Sequence, residues 1–231
     1  MIATFINAGA VVLGSLIGLL LNRRIGERLK DVVYAGIGVI SLVIGFSMAL
    51  ELQRVLYLAL SVVIGGMLGT WWGVEEGILK LGEFLKRRFQ REGSEGEFAY
   101  GFLSASVLFC VGAMTIVGSF QAGVDANYEL LLTKSVMDGT MAILLTAAMG
   151  IGVAFSALII LVYQGGLTLL ATYLRPYVSD LMLSEITAVG GALVVMIGIN
   201  LLGIRRIKTA DFVPGLLVVI IFVLLDPWIG I

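Results

Sequence analysis

The chain has 231 residues, of which 59% are hydrophobic and only 13% are charged. A soluble globular domain carries about 25% charged residues, so this composition excludes an ordinary soluble fold and indicates an all-α integral membrane protein. The net charge of −1 excludes a strongly basic nucleic-acid binder, and the absence of histidine excludes imidazole metal sites and histidine proton relays. We therefore expect no metal, no cofactor and no nucleic-acid partner.

Eight segments are apolar over enough of their length to cross a bilayer, for which a helix needs about 20 residues. In chain order they are Ile2–Leu21, Val32–Leu50, Val55–Val74, Phe98–Gly118, Ser135–Met149, Ile151–Tyr173, Leu183–Gly203 and Phe212–Leu225. The fifth is short and nearly continuous with the sixth, so it either crosses the membrane or re-enters it. The first basic residue, Arg23, follows the first span, and we expect that span to be retained.

Basic residues predict the orientation, because cytoplasmic loops are enriched in lysine and arginine. With the amino terminus outside, most of the basic residues fall on the inner side. They are Arg23, Arg24, Arg28, Lys30, Lys80, Lys86, Arg87, Arg88, Arg91, Arg205, Arg206 and Lys208. Arg54, Lys134 and Arg175 fall on the other side. The sequence therefore predicts eight crossings of a bacterial cytoplasmic membrane, with both termini outside.

The chain repeats weakly. Gly38 and Gly45 in the second span are seven residues apart, as are Gly191 and Gly198 in the seventh. Because a shift of five spans reverses direction through the membrane, the two three-helix repeats would be inverted, as in many secondary transporters. The predicted parts are a first repeat over 1–75, an interfacial helix with its linker over 76–96, central motif helices over 97–150 and a second repeat over 151–231.

Residues 76–96 predict a cytoplasmic amphipathic helix lying on the inner leaflet, followed by a short solvated linker. Its apolar stripe is formed by Ile78, Leu81, Leu85 and Phe89. Its basic side is formed by Lys80, Lys86, Arg87 and Arg88. The functional alternative is a sensor of anionic lipid.

The third span carries a glycine at every fourth position, namely Gly65, Gly69, Gly73 and Gly77. Four small residues on one helix face allow another helix to approach closely. Packing within the chain is the simpler explanation, and a homodimer interface is the alternative.

The central segment holds the most unusual polar residues. Lys134 and Asp138 are four residues apart and share one helix face. An ionisable residue at membrane depth costs at least about 2.5 kcal/mol unless it is paired or hydrated, which makes the pair a candidate functional site. The alternative is that the two side chains neutralise each other near the outer surface. Cys110 is expected to be a packing residue.

Further candidates lie around this pair. The residues proposed to line a substrate or ion pathway are Lys134, Asp138, Thr115, Ser119, Gln121, Gln164 and Asn200. Each neutral member could instead hold helices together. Gly112, Gly118 and Gly139 are candidate helix breaks, where a membrane helix can unwind and expose carbonyl groups to a cavity.

The motifs VGAMTIVGSFQAG, LLLTKSVMDG and GIGVAFSALIILVYQGGLTLLA, within Phe109–Ala171, resemble the bacterial membrane-protein family catalogued as domain of unknown function family 554. The resemblance extends over essentially the whole chain. It implies a multi-pass inner-membrane protein of a kind often described as a transport protein without an assigned substrate. It implies no catalytic or binding residue.

Three functions compete. The favoured one is a secondary transporter or permease for a small solute, which could be anionic because Lys134 would attract it, with Asp138 binding a proton or cation. The alternative is a non-catalytic membrane scaffold or lipid-sensing protein, whose partners would be lipid or a second copy of the chain. A membrane enzyme is less favoured, because the acidic residues on the inner side amount to little beyond Glu75, Glu76 and Glu83.

Overall fold

The computed structural model describes residues 1–22, 27–80, 97–110 and 113–229, and these contain helices and connecting turns but no strand. Nine α-helices have bounds within these ranges: α1 (Ile2–Asn22), α2 (Glu27–Ala49), α3 (Val55–Trp72), α4 (Glu97–Cys110), α5 (Ala113–Val124), α6 (Glu129–Met149), α7 (Ser156–Leu174), α8 (Asp180–Leu201) and α9 (Gly215–Ile229). Short 3₁₀ helices cover Ile151–Phe155, Arg175–Tyr177 and Thr209–Phe212, and residues 74–80 are also helical.

The helices have the length and surface of membrane spans. Among the described residues, seven helices are long and apolar enough to cross a bilayer, and the bent pair α4–α5 would make eight. Leu13, Val43 and Val162 are each more than 60% exposed, and an apolar surface of this kind requires a lipid environment. The predicted all-α membrane class is confirmed.

The span that is interrupted is the fourth, whereas the sequence indicated the fifth as the candidate for re-entering the membrane. The predicted span Phe98–Gly118 is two helices, α4 and α5, whose axes differ by 59°. The predicted span Ser135–Met149 is part of α6, a continuous helix of 21 residues. It starts six residues early because Lys134 pairs with Asp138, so this lysine does not end the apolar segment.

The boundary between the fifth and sixth spans lies where the sequence predicted it. Gly150 follows α6 with φ at 79°, a left-handed region that favours glycine. The 3₁₀ helix Ile151–Phe155 then leads into α7.

Two compact units make up the chain, and neither is one continuous segment. Unit 1 contains α1 and the helices α4 to α7, together with the first part of α2. Unit 2 contains the rest of α2, which begins at Gly38, and the helices α3, α8 and α9. Each predicted repeat therefore contributes helices to both units.

In unit 1, α1 packs against two helices in opposite senses. A Cβ atom at Gly14 would lie 2.2 Å from the Gly139 carbonyl oxygen, and one at Gly18 would lie 2.4 Å from the Ile143 carbonyl oxygen. The contact four residues later in α1 is also four residues later in α6, so α1 and α6 are parallel.

Helix α7 runs the other way. Thr4 reaches Gln164, whereas Val12 and Leu13 line an apolar groove with Ala154 and Phe155. Helices α1 and α7 are therefore antiparallel.

In unit 2, the two glycine pairs of the predicted repeats pack against each other. A Cβ at Gly38 would lie 3.3 Å from the Gly198 carbonyl oxygen, and one at Gly45 would lie 2.9 Å from that of Gly191. The order reverses from one helix to the other, so α2 and α8 are antiparallel and approach closely through glycine.

Helices α3 and α9 are also antiparallel. At one end, the rings of Tyr57 and Phe222 stack with centroids 5.7 Å apart. Toward the other end, a Cβ at Gly65 would lie 2.3 Å from the Gly215 Cα atom. Each helix of the predicted first repeat thus packs antiparallel against its counterpart, α1 with α7, α2 with α8 and α3 with α9. The inverted repeat itself stays a prediction.

The glycine stripe of the third span is shorter than predicted. Gly65 and Gly69 pack against the chain's own residues Gly215 and Asp211, which supports packing within the chain. Gly73 ends α3 in the left-handed conformation, with φ at 65°. Gly77 therefore lies beyond α3, in the helical residues 74–80, and a Cβ there would meet no atom within 4 Å.

Two of the three predicted helix breaks are wrong. Helix α5 runs through Gly118 and α6 runs through Gly139, because both glycines serve close packing, against Leu131 and Ala10 respectively. Gly112 lies outside the described residues, between α4 and α5.

Part of the predicted amphipathic helix also lies outside the described residues. Residues 74–80 are helical, whereas Leu81, Leu85 and Phe89 fall in the part of the chain that is not described. So do several of the basic residues that set the predicted orientation, namely Arg23, Arg24, Lys86, Arg87, Arg88 and Arg91.

Candidate functional site

The candidate site is built on the Lys134–Asp138 pair of α6. The Lys134 ammonium donates to Asp138 Oδ2 along one face of the helix, and both residues are buried. Asp138 is about 14 Å along the axis from the start of α6 and about 16 Å from its end. The carboxylate therefore lies near the middle of α6.

Neutral side chains from two other helices of unit 1 extend the pair into a network. The Asn7 Nδ2 atom of α1 donates both to Asp138 Oδ2, at 3.0 Å, and to Gln164 Oε1 of α7, at 2.9 Å. Gln164 Nε2 in turn donates to Thr4 Oγ1 at 3.3 Å. Asn7, Gln164 and Thr4 are fully buried. The network, defined as Lys134, Asp138, Asn7, Gln164 and Thr4, thus joins three helices through polar atoms alone.

One acceptor in this network has no partner. The Asn7 Oδ1 atom is buried and receives no hydrogen bond within the described part of the chain. Both hydrogens of the Asn7 amide are already used by Asp138 and Gln164, so exchanging its oxygen and nitrogen would place oxygen against two acceptors. A buried acceptor without a donor costs about 1–3 kcal/mol, which is unusual enough to require an explanation.

The remaining candidates of α5 have local roles. Thr115 Oγ1 donates to the Phe109 carbonyl at 3.2 Å and so bridges the interruption between α4 and α5. Ser119 Oγ donates to the Gln164 backbone carbonyl at 3.5 Å, which places Ser119 beside the network. Gln121 is partly exposed near the end of α5.

Asn200 does not belong to this network. It lies in unit 2, where its side chain holds the turn after α8: Nδ2 donates to the Ile207 carbonyl at 2.9 Å and Oδ1 accepts from the Ile207 amide at 2.7 Å. The prediction of a pathway role for Asn200 has no support in these contacts, which explain the residue as a loop clamp.

The sequence reasoning missed Asn7 and Thr4. Both are polar residues inside the apolar run Ile2–Leu21, and their spacing of three places them on the same face of α1. The signal in the sequence was Asn7, because an asparagine in a membrane helix is costly to bury without partners.

Acidic residues of unit 2 serve as helix caps. Asp211 Oδ1 accepts from the Glu75 amide at 2.9 Å, and Glu75 Oε2 accepts from the Ala210 amide at 2.9 Å, so each carboxylate caps the other residue's helical segment. Burial raises the pKa of Glu75, and the Asp211 charge adds to the rise, whereas the bond from Ala210 opposes it. Glu185 Oε1 accepts from the amides of Gln53 and Arg54 at the start of α3.

Comparisons with known proteins agree with the membrane fold and the resemblance noted in the sequence. Residues 2–224 match the family described as "Protein of unknown function (DUF554)". The chain belongs to this family. It is 30% identical over 230 residues to "Uncharacterized membrane protein YdfK" of Bacillus subtilis (strain 168), covering 97% of each chain. It is 27% identical over 219 residues to "Uncharacterized protein YqgA" of Escherichia coli (strain K12), covering 94% of this chain and 93% of the relative. No solved structure matches the chain.

Proposed function

We propose that this member of the family is a secondary transporter or permease for a small solute, and that the Lys134–Asp138 network is its binding site. The observation that carries the proposal is a buried ion pair near the middle of a span, joined by hydrogen bonds to α1 and α7. Ionisable groups at such depth are costly, and in membrane proteins they mark solute pathways and proton relays.

The arrangement of helices also favours transport. The first predicted span packs antiparallel against the sixth, the second against the seventh and the third against the eighth. Inverted repeats place a site near the repeat interface, and the network contains residues from α1 and α7, one such pair of counterparts.

The membrane topology we propose has eight crossings of a bacterial cytoplasmic membrane with both termini outside. Helices α1 and α6 are parallel, and the two spans α2 and α3 lie between α1 and the bent pair α4–α5 in the chain. If α4–α5 returned to the side that it left, α6 would start where α1 ends and the two would be antiparallel. The parallel packing therefore supports a full crossing by α4–α5, and the basic residues then favour the inner side for the loops predicted there.

A catalytic role is not proposed. Glu75, one of the inner-side carboxylates considered for an enzyme, accepts the Ala210 amide and lies against Asp211, so it is engaged as a cap. Glu76 pairs with Lys208 at 3.5 Å on the exposed rim. These contacts give both residues a structural role that requires no catalytic one.

The test is solute flux in liposomes containing the purified protein. A panel of small carboxylates, amino acids, inorganic anions and monovalent cations is offered to the wild type and to Asp138→Asn and Lys134→Met. At least one solute should move in a protein-dependent manner, and both substitutions should lower that flux at least about tenfold, the effect of 1.4 kcal/mol. The matched control is Asp125→Asn, which removes one partner of the exposed Arg175–Asp125 pair of the same unit and should leave flux unchanged. Flux that ignores both substitutions, or no flux for any solute, would overturn the proposal.

The scaffold alternative makes the opposite prediction. If the chain acts through the amphipathic segment, replacing Leu81, Leu85 and Phe89 with serine would abolish its cellular role, whereas Asp138→Asn would leave that role intact. A transporter loses its role with Asp138→Asn, so growth or flux in cells that carry each variant separates the two.

A further inference from the structure

The hydrogen-bonding capacity of the network is unevenly used. Both hydrogens of the Asn7 amide are occupied, by Asp138 and Gln164, and Gln164 Nε2 already donates to Thr4. Within the network, the buried oxygen that receives no hydrogen bond from the described residues is Asn7 Oδ1. Asp138 Oδ2 accepts both from Asn7 and from the Lys134 ammonium. A ligand that binds Asn7 Oδ1 and the Asp138 carboxylate together carries positive charge or donates hydrogen bonds.

An anionic ligand fits less well. It would have to bind beside the Asp138 carboxylate, since Lys134 donates to that carboxylate directly. Two like charges in direct contact in a medium of low dielectric repel strongly. Lys134 itself shows what the site accepts, because its ammonium is a compact cation already seated on Asp138.

The charge of the ligand follows from the number of carboxylates. One carboxylate balances one positive charge, and calcium or magnesium sites need several carboxylate ligands or retained waters. Asp138 is the acidic member of the network. The other titratable groups near the pair are the Cys110 thiol of α4, on which both charges act, and the Tyr163 phenol of α7 beside Cys110. From α1 the network receives an amide and a hydroxyl, which are neutral.

We propose that Asp138 and Asn7 form a site for a monovalent cation and that the Lys134 ammonium occupies this site when the cation is absent. The inference rests on the proposed function, of which it names the transported or coupling ion. When an alkali cation binds the Asp138 oxygens and Asn7 Oδ1, the Lys134 ammonium leaves the carboxylate. An unpaired ammonium at membrane depth is costly, so one N–H bond of Lys134 breaks, the proton goes to water and a neutral amine remains. One positive charge enters and one leaves, and the site keeps its net charge of zero.

Proton release on cation binding is the direct test. Lithium, sodium or potassium chloride is added to purified wild-type protein in a weakly buffered detergent solution with a pH indicator, and choline chloride serves as the ionic-strength control. The expected result is release of one proton per bound cation for at least one alkali ion, saturating with concentration. Asp125→Asn, which affects the exposed pair, should release protons as the wild type does.

Two substitutions of Lys134 separate the roles of the residues. Lys134→Met removes the competing ammonium and the releasable proton, so binding of the radioactive cation should persist or tighten while proton release is lost. Lys134→Arg keeps a cation that does not give up its proton, so both binding and release should be lost. Asp138→Asn should lose both. Size-exclusion profiles show which variants are folded, and the Arg variant keeps the test decisive if the Met variant is not.

The outcomes distinguish this inference from the proposed function. No proton release from the wild type with any alkali cation, or release that persists in Asp138→Asn, overturns the inference. If solute flux still depends on Lys134 and Asp138 in that case, the proposed transport function stands with another ligand. If flux and proton release are both absent, both proposals fail.

Discussion

At the scale of single residues, Lys134 and Asp138 stabilise each other, because either charge alone would be buried without a counter-ion. Removing one partner of a buried ion pair costs about 3–5 kcal/mol, whereas replacing both with neutral side chains is often close to neutral. We therefore expect Lys134→Met and Asp138→Asn each to lower the free energy of unfolding by about that amount. The double variant should lie within about 1 kcal/mol of the wild type, as measured by unfolding in mixed detergent micelles.

The double variant also separates stability from function. The asparagine introduced in place of Asp138 retains an oxygen that can accept from Asn7, so the fold is kept while both charges are lost. A transporter that needs the charges stays inactive in this stable protein. Full recovery of flux together with stability would show that the pair is only structural.

Glu75 predicts a dependence of stability on pH. Burial raises the pKa of Glu75 above its ordinary value of 4.5, and Asp211 adds to the effect. The folded protein therefore binds this proton more tightly than the unfolded chain does. The stabilisation is fully present below the unfolded pKa and is lost as pH rises through the folded pKa.

Glu75→Gln removes this proton and keeps an oxygen that can accept from the Ala210 amide. We expect the melting temperature of the wild type to fall relative to that of the variant as pH is raised from about 4.5, the ordinary pKa of a glutamate. Thermal unfolding of both proteins from about pH 4 to about pH 7 measures the difference. Parallel curves over the whole range would contradict the assignment.

At the scale of helices, glycine decides where two backbones can meet. A Cβ at Gly69 would lie 1.8 Å from the Asp211 carbonyl oxygen, so Gly69→Ala forces α3 away from the segment before α9. Overpacking of this kind costs about 1–3 kcal/mol, and contact with backbone places the expected loss at the upper end. The melting temperature of the purified variant should fall by several degrees.

Gly77→Ala is the matched control. No atom lies within 4 Å of a Cβ built at Gly77, and alanine is a better helix former than glycine by about 0.5–1 kcal/mol. The variant should be as stable as the wild type or slightly more so. A dimer interface along the whole stripe would instead make both variants shift the monomer–dimer equilibrium, as measured by light scattering.

Helix types and most boundaries could be predicted from the sequence, because the bilayer demands about 20 apolar residues with every backbone group bonded internally. The prediction was wrong where the pairing or packing of particular side chains decides whether a helix continues. Helix α6 extends past Lys134 because Asp138 neutralises the charge, and Gly118 stays helical because it packs against Leu131. In the site, Lys134, Asp138 and Gln164 were found, but the link through Asn7 spans 131 residues of sequence and depends on tertiary packing.

At the scale of the whole molecule, ion pairs place helix ends on common faces within each unit. In unit 2, Arg54 Nη2 and Asp226 Oδ1 lie 3.6 Å apart, which brings the start of α3 close to the end of α9. In unit 1, Asp125 Oδ1 and Arg175 Nη1 lie 3.6 Å apart, which brings the ends of α5 and α7 to one face. Both pairings agree with the eight-span arrangement, in which these residues fall outside.

Cysteine labelling tests that arrangement. The native Cys110 is buried, so the wild-type chain should give little background with a membrane-impermeant maleimide. Asn127→Cys and Ile204→Cys place thiols at exposed positions on opposite predicted sides and leave every basic residue in place. We expect the thiol at 127 to react in right-side-out vesicles and the thiol at 204 to react in inside-out vesicles.

The result distinguishes the two span counts. If α4–α5 were a re-entrant segment, residues 127 and 204 would exchange sides relative to the amino terminus, and both labelling patterns would reverse. Such a reversal would also require α1 and α6 to be antiparallel, against the packing of Gly14 on Gly139 and of Gly18 on Ile143. Labelling as expected, together with a tag at Met1 accessible from outside, fixes eight crossings, since the chain must then pass through the membrane between residues 97 and 127.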